Sequence, residues 1–360
     1  MSEPRINSAV VYIIIDMSND LRNLTLDEMS ALCENMGEKS YRAKQIFSWL
    51  YKGNSSVQAV DEMVNISASL REKLKKAGWD VGVLRMIMHQ MSAQDGTEKY
   101  LFELADGNAV ESVLMRYHYG NTVCVSTQAG CRMGCSFCAS GLNGLVRNLT
   151  AGEIVSQVVD IMRNSKVKVS NVVFMGTGEP FDNYENVSRA IRILMEPQGI
   201  GMSSRNITVS TSGIVPVIGQ FAEDFPQVNL AISLHAPNDD IRREIMPVAK
   251  AYPIKALIAA CDDYVGKTNR RVTFEYALIK GLNDSDECMH ELAELLRGHL
   301  AHVNLIPLNE VTETGLRSSG RSRAQEFKKY LEPHGVPASV RRELGSDIDG
   351  ACGQLRNRVI

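Results

Sequence analysis

The sequence predicts an α/β protein in which a small helical domain precedes a partial barrel of six strand–helix units. From Thr122 onward, strand-like runs alternate with helical segments, which indicates a parallel sheet with right-handed crossovers. Six units are too few to close the usual eightfold barrel, so we expect a barrel that is open on one side. The six runs are residues 122–125, 171–175, 206–210, 229–233, 272–276 and 303–307.

A helical domain is predicted over residues 23–82, after a tail of residues 1–22. Thr25 has the character of an N-cap, Gly37 ends that first helix, and further helices are predicted over 41–51 and 67–77. Residues 38–76 contain eight basic and four acidic side chains. A basic surface of this kind either grips an anionic partner or is an ordinary solvated helix face.

Residues 83–121 are predicted to form a β-hairpin region, because their apolar pattern has a period of two. The strands 99–104 and 110–114 are joined by a turn at Asp106-Gly107-Asn108. Glu111 lies in the middle of the second strand among apolar residues. It either points to solvent or takes part in catalysis, and the strand pattern does not decide between these.

The composition limits the class of protein. A chain of 360 residues with 44% hydrophobic residues can bury a large core, and its net charge of −3 argues against a uniformly basic nucleic-acid binder. Eight cysteines in a chain of this length indicate reduced thiols and not a disulfide scaffold. The apolar run 9–15 is too short to span a bilayer, and Met17 offers a second start for translation after residues 1–16. We therefore expect a cytoplasmic protein with no membrane segment.

Three cysteines, Cys131, Cys135 and Cys138, form a C-x3-C-x2-C run just after the first predicted barrel strand. This spacing lets one loop direct three thiolates at a single inorganic centre and leaves a fourth position open. It favours an iron–sulfur cubane with one iron free to bind a substrate. The alternatives are a zinc site completed by a distant residue and buried structural thiols.

Polar motifs follow several other predicted strands, and in parallel sheets the chemistry lies beyond the carboxyl ends of the strands. We therefore expect these motifs to share one mouth with the cysteine loop. Their glycines permit close backbone approach to a ligand, and their polar groups suit a ligand with an amino-acid moiety and a ribose. A purely structural role is at least as common for a strand-end histidine such as His235. The residues are Gly178, Glu179, Ser210, Ser233, Leu234, His235 and Asn309.

A solitary cysteine, Cys352, lies in the C-terminal loop of residues 345–360 between Gly350 and Gly353. This setting predicts an accessible thiol for nucleophilic or redox chemistry. Cys124, just before the cysteine run, would by itself be a core residue.

With these residues assembled, the chain resembles the RlmN/Cfr family of radical S-adenosylmethionine RNA methyltransferases from about residue 24 to 354. The resemblance implies a radical SAM partial (β/α)6 barrel over residues 122–344. The cysteine run alone would indicate only the radical SAM superfamily, and the C-terminal cysteine loop makes the match more specific. The matching segments are Cys131–Cys138, 176–180, 233–238, 271–276, 304–307 and 347–355.

The resemblance implies a [4Fe–4S] cluster on Cys131, Cys135 and Cys138 and two molecules of S-adenosylmethionine (SAM) per turnover. Cys352 would take a methyl group from the first molecule, and a radical derived from the second would activate that methyl group for addition to an adenine. Glu111 would accept the ring proton. Cys124 would then form a transient disulfide with Cys352 and release the product.

The RlmN branch of this family implies methylation of adenine C2 in the peptidyl-transferase loop of 23S rRNA and of an adenine in the tRNA anticodon loop. The basic helical domain would hold RNA phosphates, a flavodoxin or ferredoxin would supply electrons, and the enzyme would be a monomer. Pro180 after Glu179 favours this branch over the C8-methylating Cfr branch. Two further hypotheses are a radical SAM maturase that acts on a protein and a zinc-bearing RNA-binding module.

Overall fold

The computed structural model describes residues 19–348, without the side chains of Asn54 and Thr312. Cys352 lies outside the described residues. The described chain divides into two compact units. The first contains residues 19–83, 150–166 and 189–201, and the second contains residues 84–149, 167–188 and 202–348.

The first unit contains the helices predicted at the N-terminus, α1 (Leu26–Asn35), α2 (Tyr41–Tyr51) and α3 (Ala68–Lys76), together with α4 (Ala151–Ser165). Both α1 and α4 begin with a capping box, in which a threonine and the glutamate three residues later satisfy each other's backbone N–H groups. The predicted N-cap at Thr25 and the predicted bounds of α2 are confirmed.

Arg22 is the polar centre of the first unit and is completely buried. Its guanidinium donates to the carbonyl oxygen of Gly82 at 2.9 Å, to Ser156 Oγ at 3.0 Å and to Asp160 Oδ1 at 3.2 Å. Asp160 is equally buried. A buried charge is tolerated only with such partners, so this arginine joins segments that are distant in sequence.

The second unit is organised by a ten-stranded sheet in the order β1-β2-β3-β4-β7-β8-β9-β10-β11-β12. The strands β1 to β4 pair antiparallel, and every pair from β4–β7 to β11–β12 is parallel. A separate antiparallel pair, β5 and β6, lies between β4 and β7 in the chain. The strands are β1 (Arg85–Met91), β2 (Glu98–Glu103), β3 (Ala109–Tyr117), β4 (Gly120–Cys124), β5 (Gln128–Gly130), β6 (Leu145–Asn148), β7 (Val169–Phe174), β8 (Ile207–Thr211), β9 (Asn229–Ser233), β10 (Val272–Leu278), β11 (Ala301–Pro307) and β12 (Ala338–Val340).

Helices alternate with the parallel strands, as the sequence predicted. Among the described residues, no helix is long and apolar enough to cross a membrane. The remaining helices are α5 (Tyr184–Met195), α6 (Val215–Asp224), α7 (Asp239–Ile245), α8 (Ile254–Thr268), α9 (Asp286–Leu296) and α10 (Gly320–Leu331).

The structure adds two features that the sequence pattern did not predict. A seventh parallel strand, β12, pairs with β11 and is only three residues long. The predicted hairpin of β2 and β3 is present, and it also continues the main sheet, because β3 pairs with β4 with Val113 opposite Cys124. The open sheet of alternating strands and helices confirms the predicted α/β class.

Replacing Arg22 with methionine should lower the free energy of unfolding of the first unit by roughly 3–5 kcal/mol, because the buried Asp160 loses a charge partner. Urea unfolding followed by tryptophan fluorescence measures this directly, since Trp49 and Trp79, the two tryptophans of the chain, both lie in this unit.

Lys76→Met is the matched control, because Lys76 is 80% exposed and its amine lies 3.9 Å from Glu72. Surface pairs of this kind contribute less than about 1 kcal/mol. Equal losses in the two variants would contradict the structural role given to Arg22.

Candidate active site

The cysteine loop is held at both ends by the β5–β6 pair, which fixes where its three thiols lie. The backbone N–H of Cys131 donates to the carbonyl oxygen of Gly144 at 2.9 Å. Within the loop, the backbone N–H of Cys138 donates to the carbonyl oxygen of Cys135 at 3.2 Å. Gly134 adopts φ +65°, a conformation that favours glycine, and so allows the loop to reverse direction. Cys135 also packs against an apolar cluster that includes Met246.

The three thiols line one cavity of about 260 Å³, which we call the thiol cavity. It is also lined by residues at the carboxyl ends of other parallel strands or in the loops that follow them. The predicted site residues that line it with the cysteines are Gly178, Glu179, Ser210, Ser233, His235 and Asn309. The structure therefore brings together the motifs that the sequence placed at one mouth, although their roles toward a cofactor stay predictions.

Burial controls the protonation of these thiols in the protein alone. It raises the pKa of Cys131 to about 11, against a smaller opposing effect of a hydrogen bond from the Met133 backbone. Burial likewise raises the pKa of Cys135. The two thiols therefore hold their protons at neutral pH in the protein alone. A metal centre that binds to the sulfurs would displace these protons.

The donor chemistry fits an iron–sulfur cluster, because soft thiolate ligands on one loop suit such clusters and zinc. Within residues 19–348, no group of three or more His, Cys, Asp or Glu side chains is already placed around a single metal-ion position. This includes Cys131, Cys135 and Cys138, whose thiols share one cavity in the protein alone.

The glycines of the loop after β7 allow it to lie directly against the backbone after β4. A Cβ atom on Gly176 would lie 2.7 Å from the carbonyl oxygen of Val125, and one on Gly178 would lie 2.7 Å from the backbone nitrogen of Gln128. Gly178 also has φ +109°. Any side chain at either position would push this loop away from its neighbour and displace Glu179 from the cavity wall.

Glu179 is a buried carboxylate that is oriented by backbone donors. Its Oε1 accepts the N–H of Phe181 at 2.9 Å, and its Oε2 accepts the N–H of Ser212 at 2.7 Å. Burial raises its pKa, and these hydrogen bonds act in the opposite direction. Each carboxylate oxygen can accept more than one hydrogen bond, so an ammonium group in the cavity would find an acceptor here.

His235 is a neutral imidazole with a defined tautomer. Its Nδ1 accepts the backbone N–H of Ala277 at 2.9 Å, which leaves the proton on Nε2. Burial and, to a smaller extent, the charge of Arg242 lower its pKa to about 3. The residue adopts φ +55°, and its ring meets that of Phe137 edge-on at 4.9 Å. The structural role that the sequence left open for His235 is therefore present together with a place in the cavity wall.

Leu234 is the one cofactor-binding candidate whose side chain does not line the cavity. It is completely buried, and its backbone N–H donates to the carbonyl oxygen of Glu275 at 3.1 Å.

Two charged residues that line the thiol cavity were not predicted as site residues from the sequence. Glu275 on β10 lines the cavity and is buried, which raises the pKa of its carboxyl, and it accepts a hydrogen bond from Asn304 Nδ2 at 2.8 Å. Arg341 also lines the cavity, and its charge acts to lower the pKa of Glu275. A glutamate inside an otherwise apolar strand was a usable signal, but the arginine lay in a segment with no pattern.

Cys124 lines a second cavity of about 120 Å³, the Cys124 cavity. Met175, Asn309 and Arg341 line both cavities, so the two are adjacent. Cys124 is buried, with 8% of its surface exposed.

Glu111 forms a buried ion pair that the sequence did not predict. Its Oε2 lies 3.0 Å from Lys99 Nζ, and both side chains are almost fully buried. Side chains alternate between the faces of a strand, so Glu111 shares its face of β3 with Val113 and Met115, which line the Cys124 cavity. A solvent-facing Glu111 is therefore ruled out.

The predicted residue Cys352 lies beyond the described chain, but the segment before it is held close to the Cys124 cavity. Leu344 lines that cavity. Just after it, the backbone N–H of Gly345 donates to Asp95 at 2.9 Å, and the carboxylate of Asp347 accepts from Ser92 and from the N–H of Ala93.

The sequence matches two family descriptions, the Radical SAM superfamily over residues 125–296 and the ribosomal RNA large subunit methyltransferase N-terminal domain over residues 19–78. Two similar proteins carry the name "Probable dual-specificity RNA methyltransferase RlmN". The protein from Thermoanaerobacter sp. (strain X514) is 51% identical over 95% of this chain and 98% of its own length. That from Caldanaerobacter subterraneus subsp. tengcongensis is 50% identical over the same shares of the two chains.

A crystal structure of a radical SAM methyltransferase from Sphaerobacter thermophilus matches with a TM-score of 0.88 and 48% identity, over 93% of this chain and 98% of the other. Superfamily membership implies a [4Fe–4S] cluster and S-adenosylmethionine. Sequence and fold agree over almost the entire chain, which confirms the resemblance seen in the motifs. The chain belongs to the RlmN family of radical SAM RNA methyltransferases.

Proposed function

We propose that this protein methylates C2 of a specific adenine in the peptidyl-transferase loop of 23S rRNA and of an adenine in the tRNA anticodon loop. The observation that carries this proposal is the match at about 51% identity, over nearly full length, to relatives named dual-specificity RNA methyltransferase. These relatives carry the RlmN name, which does not favour the C8-methylating alternative. Bases in loops can be splayed out of the helix, so they suit a recessed site.

The thiol cavity is the proposed binding place of the cofactors. Cys131, Cys135 and Cys138 would ligate the cluster, and Glu179 would accept the amino group of SAM. Ser210, Ser233, His235 and Asn309 offer hydroxyl, imidazole and amide groups to its other polar atoms. When bound, the cluster and two SAM molecules per turnover supply the methyl group and the radical that activates it.

Cys352 is proposed to accept and carry the methyl group. The chain passes the Cys124 cavity at Leu344, eight residues before Cys352, and such a segment spans up to about 28 Å. This reach supports an encounter between the two cysteines. Cys124 would attack the sulfur of Cys352 to form a disulfide, which breaks the bond between that sulfur and the transferred carbon. The carbon keeps the electron pair and takes up a proton to become the methyl group of the released RNA, and a thiol reductant would then restore both thiols.

Glu111 is proposed as the base that takes the proton from the methylated ring carbon. Lys99 is proposed to position it, because its Nζ lies 3.0 Å from Glu111 Oε2 and both side chains are almost fully buried. The remaining parts of the proposal are a flavodoxin or ferredoxin as electron donor, a monomeric enzyme and a cytoplasmic location with its RNA substrates.

Reaction of the anaerobically reconstituted enzyme with a 23S rRNA fragment and SAM should yield 2-methyladenosine, detected by mass spectrometry of the digested RNA. Cys352→Ala should abolish this product, because the methyl carrier is lost, and Cys124→Ala should trap RNA covalently on the protein. A product methylated only at C8, or full activity of Cys352→Ala, would contradict the proposal.

Glu111→Gln should reduce product formation at least about 100-fold, because general bases contribute factors of about 10² to 10⁴. Methylation of Cys352 should persist, since that step does not use Glu111, and the mass of the C-terminal peptide measures it.

Lys99→Met should impair methylation of the RNA in the same way, whereas Lys99→Arg, which keeps the charge, should retain part of the activity.

If Glu111→Gln blocks methylation of Cys352 as strongly as methylation of RNA, the proposed role of Glu111 as the base for the ring proton is wrong.

A further inference from the structure

A concave surface of the first unit has the features of a second ligand site. A cavity of about 360 Å³ lies along α2, within the size range of small-molecule sites. We call it the Trp49 cavity. Its principal lining side chains are Lys44, Gln45, Trp49, Lys52, Asn65 and Gln198.

The helical period of α2 creates this surface. Lys44 and Ser48 are four residues apart and lie on the polar face, and Lys52 follows four residues later at the end of the helix. The opposite face, which includes Ile46 and Phe47, is fully buried.

The far wall of the cavity depends on the absence of a side chain at Gly199. A Cβ atom there would lie 2.8 Å from the Phe47 ring. The turn that carries Gln198 can therefore pack closely against α2.

Trp49 presents an aromatic ring that is held in place. Its indole N–H donates to the side-chain oxygen of Asn65, and the ring is only partly buried. A large, oriented and accessible ring is what bases of single-stranded nucleic acids stack on.

The lysines of this cavity differ from those of α3. Over the described part of the chain, the amines of Lys44 and Lys52 make no hydrogen bond or ion pair, and the residues found to line the cavity include no acid. In contrast, Lys73 pairs with Glu38 at 3.2 Å. Lys75 likewise pairs with Asp61 at 2.8 Å. The cations of α3 are therefore largely neutralised, whereas those of α2 are available to an anion.

We propose that the Trp49 cavity binds one unpaired nucleotide of the RNA substrate outside the catalytic site. Lys44 and Lys52 would contact its phosphate, and the ring of Trp49 would stack on its base. The amides of Gln45 and Gln198 would face the base edges. This inference rests on the proposed function for the identity of the ligand as RNA.

The test compares two double variants of the full-length enzyme, Lys44→Gln/Lys52→Gln and the control Lys73→Gln/Lys75→Gln. The probes are transcripts of the 23S rRNA peptidyl-transferase stem–loop and of a tRNA. The first variant should bind at least about tenfold more weakly at low salt, and its slope of log affinity against log salt should fall by roughly 0.7, the contribution of one single-strand phosphate contact. The control should resemble the wild type.

Trp49 provides a second readout that charge alone would not change. RNA should quench wild-type fluorescence, and Trp49→Phe should abolish the quenching, because the remaining Trp79 is buried. Unchanged affinity and salt slope in Lys44→Gln/Lys52→Gln, or equal losses in the control, would overturn the proposal. Competition by an acidic peptide for the cavity, without any effect of RNA on Trp49, would assign it to a protein partner and also overturn it.

The outcome is separable from that of the proposed function. If the wild type forms 2-methyladenosine and the lysine variant binds normally, only this inference fails. If the wild type does not methylate RNA but the lysine variant loses RNA binding, the proposed reaction fails and the nucleotide site stands.

Discussion

Parallel pairing of β4 with β7, and of each following strand with the next, is the constraint on which the candidate site depends. Because the strands run in one direction and in chain order, their carboxyl ends form a single edge of the sheet. Loops far apart in sequence then line one cavity, from the cysteine loop after β5 to Asn309 after β11.

The site has its polar groups oriented before any ligand arrives. Glu179 and His235 are each fixed by backbone N–H donors, and Glu275 is held by Asn304. Burial raises the pKa of both glutamates and lowers that of the histidine, so each group favours its neutral form until a partner compensates for it. An amine that enters next to Glu179 would donate hydrogen bonds to that carboxylate. The lining therefore favours a ligand with an amino group over an apolar one.

Much of the fold could be predicted because local signals agreed with tertiary ones. The capping threonines, the hairpin turn at Gly107 and the alternation of strands with helices all have physical causes within a few residues. The strand β12 has only three residues and therefore no period to detect. The continuation of the hairpin into the main sheet depends on the pairing of β3 with β4, which no local pattern reports.

Site residues could be predicted from the sequence where a polar motif directly follows a strand. Residues that reach the site from elsewhere in the chain were not predicted. Lys99 and Glu111 form an ion pair diagonally across the hairpin. The opposite charges in its two strands were a sequence signal from which this pair could have been predicted. Arg341 reaches the cavities from the segment after β12 and has no sequence signature. Leu234 was included with its neighbours Ser233 and His235, but its side chain is buried in the core just beyond the end of β9.

The most direct test of the assignment of the thiol cavity uses the reduced, anaerobically reconstituted protein and SAM with a ¹⁵N-labelled amino group. Electron–nuclear double resonance should detect coupling between the cluster spin and the labelled nitrogen, because the amino group would bind the iron that the three cysteines leave open. Glu179→Ala should weaken SAM binding without loss of iron. A cluster spectrum that does not respond to SAM, or iron binding that survives replacement of all three cysteines, would contradict the assignment.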